Sequence, residues 1–250
     1  MVGLGAGACG APVPGPAPLR AGVLGGVEEE VLRFVAASYP ALRLAVTKLA
    51  SARALRESLA GGELAFGSFE TAQDAARAER GLVSAGLGVT LPFGLYSSQV
   101  RRLSELGPGS RLALPSAAEE QGRALLLLYH YGLVGFDEEL GPQARLGDVR
   151  RNPRELSLEL VPTSELPGRF ARGDLVALSY SVAGKLGLAP ARQALAMEDG
   201  FSPFAQVLTV RRADQLAKPA WLTRLLAAYH SPPVQDFILR RFEDSVRRAW

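Results

Sequence analysis

The pair Gly122-Arg123, just ahead of the apolar run at 125–128, holds the most pointed chemistry in this chain. The stretch 111–134 reads as a buried strand (Arg111–Pro115), a small and acidic loop (116–121) and the head of an amphipathic helix. A helix N-terminus presents free N–H groups and a partial positive charge. Arg123 adds a full charge and a planar fork of donors. Together they suit a small anion such as a carboxylate. Elsewhere the reactive inventory is thin. His130 and His230 stand alone, without the clustered His, Cys or carboxylate that a metal needs, so no metal is expected. The single cysteine, Cys9, leaves no internal disulfide. Ser116 and Ser179 have no candidate base in sequence, and Glu119-Glu120 does acid–base work only if one acid is buried with its pKa raised. These residues favour binding over catalysis. No catalytic residue and no cofactor is assigned.

The elements that must position Arg123 are those of an α/β protein. The chain has 250 residues, 48% of them hydrophobic, and a net charge of +3. That is enough for one large domain or two of about 120 residues. Basic residues are scattered, apart from a C-terminal group (Arg240, Arg241, Arg247, Arg248) without interleaved aromatics, so no nucleic-acid partner is expected. No run of 18 apolar residues exists. Residues 1–18 are almost all Gly, Ala, Pro and aliphatics and read as a flexible tail. Cys9 follows Ala6-Gly7-Ala8, the small residues that precede a lipoprotein cleavage site, but no Lys or Arg stands before it. A lipidated Cys9 and an accident of composition both stay open.

From residue 19 onward, strands expected at 19–24, 42–46, 63–69 and 82–91 alternate with helices at 27–38, 51–59 and 70–80. This βαβαβαβ order implies parallel strands with right-handed crossovers. A second set has strands at 111–115, 156–161, 174–179 and 204–211. Its helices are headed at 122, 164–171, 182–186, 219–228 and 234–249. The turn at Gly25-Gly26 lacks the register of a dinucleotide loop, and Glu28, Glu29 and Glu30 would repel a pyrophosphate; they suit the helix dipole instead.

Several motifs then recur in one order. They are LPFGLYS (91–97), LSEL (103–106), GSRLALP (109–115), GRALLLL (122–128), GLV (132–134), DVRRNPRELSLEL (148–160), SELPGRF (164–170), LGLAPARQAL (186–195) and EDGFSPFAQVLTVRR (198–212), with Trp250 at the end. This series resembles the substrate-binding lipoproteins of methionine-type ABC importers, the NlpA family, over residues 19–250. The resemblance implies a type II periplasmic-binding-protein fold, with two α/β lobes and a ligand cleft between them. Lobe 1 would hold 19–91 with 204–250, and lobe 2 would hold 92–203. The lobes would close about hinges near 91–93 and 203–206. The family's Gly-Arg arginine, which grips the ligand carboxylate, maps onto Arg123.

Other ligand positions depart from the family pattern. The Asn-Asp-Pro-Thr-Asn loop becomes Ser116-Ala117-Ala118-Glu119-Glu120. Phe-Gln-His becomes Phe69-Glu70-Thr71, a tyrosine becomes Leu91, and two asparagines map onto Ser179 and Gln206. Glu119, Glu120 or Glu70 would then hold an ammonium or other cationic group; alternatively Glu119 pairs with Arg123 and closes the anion site, or the two acids are first-turn helix residues. The expected protein is an extracytoplasmic, monomeric solute-binding protein without enzyme activity. It would sit in the periplasm or on the outer face of the cytoplasmic membrane, held by a lipid if Cys9 is lipidated. Its partners would be a small amino-acid-like or carboxylate ligand, methionine being the family default, and an ABC permease with its ATPase. An enzyme on the same scaffold, or a sensor module that has lost transport, are the alternatives.

Overall fold

Amphipathic helices laid over parallel strands bury one apolar stripe each, and here they do so around two separate sheets. The computed structural model describes residues 17–77 and 81–250. Cys9 and residues 1–16 of the expected tail lie outside them. The first run comprises β1 (Leu19–Val23), α1 (Val27–Ser38), β2 (Leu44–Lys48), α2 (Ala52–Ala60), β3 (Phe66–Thr71), α3 (Ala72–Arg77) and β4 (Leu82–Leu87). A connecting strand β5 (Val89–Thr90) leads to β6 (Gly94–Tyr96), β7 (Arg111–Pro115), α4 (Ala118–His130), β8 (Ser157–Val161) and α5 (Leu166–Ala171). Then come β9 (Leu175–Leu178), α6 (Tyr180–Lys185), α7 (Pro190–Gln193) and β10 (Ala196–Met197). The chain returns through β11 (Gln206–Arg211), α8 (Arg212–Ala217), α9 (Ala220–Tyr229), α10 (Pro232–Phe242) and β12 (Arg247–Arg248).

One sheet has the order β2-β1-β3-β11-β4 and the other β10-β6-β9-β7-β8. β1 is parallel to β2 and β3, and β7 is parallel to β8 and β9. β11 runs antiparallel between β3 and β4, so the four strands of the first run are not paired in unbroken sequence. The C-terminal ends of β1, β3 and β4 and the start of β11 therefore lie along one edge. In the second sheet the ends of β7, β8 and β9 share an edge with Gly94 and Met197, because β6 pairs with β9 and β10 with β6, both antiparallel. The two connections between the sheets, 88–93 and 198–205, join these edges, so the strand ends of both lobes face one cleft. That is where open α/β sheets bind ligands.

Each lobe has its own core. Phe66, Leu32, Val35, Leu225, Tyr229 and Ile238 fill the first, and Leu112, Leu114, Leu125, Leu128 and Phe93 the second. Each such buried side chain contributes about 1.5–3 kcal/mol. Two expectations need correction. The helix carrying Arg123 starts at Ala118, four residues before Gly122, because Ala, Glu and Gln are good helix formers and Glu119 and Glu120 suit a first turn. The last helix stops at Phe242 instead of 249. Glu243 and Asp244 take positive φ, and the chain doubles back so that Arg247 pairs with Thr90.

Candidate functional site

Arg123 sits in the second turn of α4 and is mostly buried, so the expected seat at the free N–H groups of the helix head does not apply to it. Its guanidinium is held by the chain itself. Nε lies 3.1 Å from each oxygen of Glu198, and Nη2 donates to Glu198 as well. Nη2 also donates to the Leu91 carbonyl at 2.8 Å. The Phe93 and Phe204 ring centroids stand 5.5 and 4.7 Å from its Cζ, a cation–π sandwich. Glu198 is fixed in turn: it accepts from the Phe93 N–H at 3.1 Å and from the Ser202 hydroxyl at 2.7 Å. Leu91 and Phe93 belong to one connection, Glu198, Ser202 and Phe204 to the other, so Arg123 ties helix α4 to both. The closing partner is Glu198, 75 positions away, and not Glu119. Nη1 has no hydrogen bond to the described residues.

The other expected residues fall at strand ends around the cleft, with differing freedom. Gln206, at the start of β11, is opposite Thr71, at the end of β3. Its side-chain Oε1 is buried without a partner. Thr71 caps α3: its hydroxyl and N–H donate to Asp74 at 2.8 and 3.2 Å, and Asp74 N–H donates back at 3.1 Å. Phe69 is half-buried against the cluster of Leu55, Leu59, Leu64 and Leu82, with Arg56 over its ring. Glu70 is committed inward, taking Arg56 at 2.7 Å and the Thr209 hydroxyl at 2.7 Å. Ser116 is exposed, and its N–H donates to Val161 at 2.8 Å. Ser179 precedes α6, with its hydroxyl 3.3 Å from that of Ser181. Glu120 accepts from the Thr163 hydroxyl. Glu119 reaches Asp74 on α3, across the cleft. Partial desolvation, then the charge of Asp74 and a hydrogen bond to it, raise its pKa, while Arg77 and Arg123 oppose the shift. His130 is exposed, and His230 Nε2 stands 2.8 Å from the Leu87 carbonyl oxygen. No group of three His, Cys, Asp or Glu that could hold a metal occurs among the described residues.

Two features escaped sequence reasoning. Glu198 lay unnoticed inside a motif. Glu28, which its sequence marks only as a first-turn acid suited to the helix dipole, is 9% exposed and in no ion pair among the described residues. Burial pushes its carboxyl up to about 7, against a smaller pull from its own backbone N–H. Its signal was its place, two residues after a Gly-Gly turn that ends a buried parallel strand.

The NlpA lipoprotein model matches residues 19–250. The chain belongs to the NlpA lipoprotein family. A D-methionine-binding lipoprotein MetQ of Yersinia pestis is 29% identical over 252 aligned positions, covering 97% of this chain and 92% of the relative. A nutrient-binding protein from Burkholderia cenocepacia, solved bound to methionine, superposes with a TM-score of 0.71 at 28% identity, covering 93% of this chain and all of that one. An ABC-transporter periplasmic substrate-binding protein from Coxiella burnetii matches with a TM-score of 0.71 at 29% identity, over 92% of this chain and 100% of that one. This NlpA chain therefore has the two-lobed periplasmic-binding-protein fold.

Proposed function

We propose that this NlpA chain is the extracytoplasmic solute-binding protein of an ABC importer and works by binding, without covalent chemistry. A small amino-acid-like ligand enters between lobe 1 (19–91 with 204–250) and lobe 2 (92–203), which then close about 91–93 and 203–206. Its carboxylate meets Nη1 of Arg123, while Thr71, Ser116, Ser179, Gln206 and Phe69 border it. The observation that carries this reading is the convergence of both sets of strand ends on the edge where the two connections run, with Gln206 at one of those ends and Arg123 bonded to the first connection. The relatives' printed roles, methionine binding and periplasmic substrate binding for an ABC transporter, support it. A closed lobe pair docks on a permease–ATPase complex outside the cytoplasmic membrane, and a lipid on Cys9 would keep it there.

Thermal shift against a panel of free amino acids and dipeptides tests this. A ligand at about 100 times its Kd should add roughly 2.7 kcal/mol of stability. Arg123→Lys, which keeps the charge and loses the fork, should weaken the best ligand about tenfold. A wild type that no panel member stabilises would overturn the proposal.

A further inference from the structure

Glu28 stands at the C-terminal edge of the first sheet, the edge that borders the cleft. It stands in the first turn of α1, at the C-terminal end of β1. β1 is two strands from β11, so at about 4.8 Å per strand this end lies roughly 10 Å from Gln206. The ammonium and carboxylate of an α-amino acid sit on one carbon and cannot span that gap. A group that meets Glu28 therefore lies farther along the ligand than the α-carbon groups that Gln206 borders.

Its surroundings are polar and unpaired. Ser68, on β3, is opposite Val23 of β1 and is 1% exposed, with a hydroxyl that finds no protein partner. Alternation puts it on the same face as Phe66, which shares a core with Val23, Val27 and Tyr229. The Tyr229 hydroxyl is fully buried and likewise without a partner. Burial and then the Glu28 carboxylate push that phenol well above its ordinary range. From lobe 2, Tyr180 packs on this core at the end of β9, and its phenol is raised by burial and by Glu30 and Glu28, with Arg241 opposing. Lys48 on β2 leans over Gly25, is solvent-exposed and makes no ion pair with Glu28. Arg241 is taken by Glu30. Buried polar groups left unpaired cost about 1–3 kcal/mol each, so the Ser68 and Tyr229 hydroxyls call for a partner. At the other end Arg123 is already balanced by Glu198. Glu28, by contrast, has no counter-ion among the described residues.

Building on the solute-binding reading above, we propose that Glu28, with Ser68 and Tyr229, is a subsite for a protonated amine or amidine at the distal end of the ligand, so that the cleft selects an amino acid with a cationic side chain over one with an apolar side chain. The test measures affinities by calorimetry for L-lysine, L-ornithine and L-arginine against L-methionine and L-norleucine, at pH 6 and pH 8. The best cationic member should bind at least tenfold tighter than norleucine at pH 8 and lose much of that margin at pH 6. Glu28→Gln should erase the margin at both pH values. Ser68→Ala and Tyr229→Phe remove no protein hydrogen bond, so they should keep the melting temperature and still reduce the margin. A wild type that binds norleucine or methionine as tightly as lysine overturns the subsite while leaving the transport reading intact. So does a Glu28→Gln variant that keeps the preference. If no amino acid binds the wild type, both fall.

Discussion

Arg123 shows where reading a single residue from sequence stops: its helix begins earlier than expected, and its partner lies far along the chain. Its type and its Gly-Arg setting pointed to a planar donor set at a helix head; the structure buries that donor set and pairs it with Glu198. Sequence could not supply Glu198, because a partner 75 positions away is found only when the second connection folds across the first. Replacing Glu198 by Ala leaves a nearly buried guanidinium without its counter-charge, which costs about 3–5 kcal/mol. Chemical denaturation should show a loss of about that size, and Glu198→Gln a smaller one; an unchanged midpoint would mean that solvent already screens the pair. Glu28 carries a pH prediction. Its carboxyl is raised from the ordinary 4.5 to about 7 in the fold, so between those values the native state holds the proton that the unfolded chain has lost. Stability present below about pH 4.5 should therefore decline by about 3 kcal/mol as pH rises through 7, at about 1.4 kcal/mol per pKa unit. Glu28→Gln should flatten that slope. A variant with the wild-type slope would place the titration elsewhere.

At the scale of elements, period and turn residues were readable and long-range pairings were not. Strand β7 and helix α1 fall on the expected residues, since each has an apolar run closed by a clear stop. The helix at 118 was started late because Gly122 was read as its head. The glycine has another cause: a Cβ there would lie 1.9 Å from the Pro142 carbonyl oxygen. Gly122→Ala must displace the 138–143 segment or bend α4, at about 1–3 kcal/mol by overpacking. A urea midpoint equal to wild type would show that the segment yields freely. The last helix was overrun because Val234, Ile238, Phe242 and Val246 keep a four-residue spacing through its real end. Val246 and Ala249 are buried all the same, but by a returning strand. Arg123 joins α4 to both connections, so Arg123→Ala should raise amide hydrogen exchange at 91–93 and 198–204 above that in β7. Equal protection in the variant and the wild type would remove it as a clasp.

At the scale of the whole molecule, alternating strands and helices announced two α/β units, and motif order announced the family. Neither could show that β11 enters the first sheet between β3 and β4, since an antiparallel insertion leaves no mark on an apolar strand. That insertion matters for closure, because it puts Gln206 opposite Thr71 and brings the second connection to the cleft. Small-angle scattering with a bound amino acid should show a smaller radius of gyration than the free protein if the lobes close on it. An unchanged radius would favour lobes already shut.

The same insertion sets an order of assembly. All five strands of the second sheet lie between residues 94 and 197, so that lobe can assemble without the rest of the chain. The first cannot. β4 pairs only with β11, and one edge of β3 does too, so both stay unpaired until a segment about 120 residues farther along arrives. Bare strand edges are the kind of surface other chains adhere to. The lobe begun first is completed last, and the unfinished chain is most in need of a chaperone during that interval.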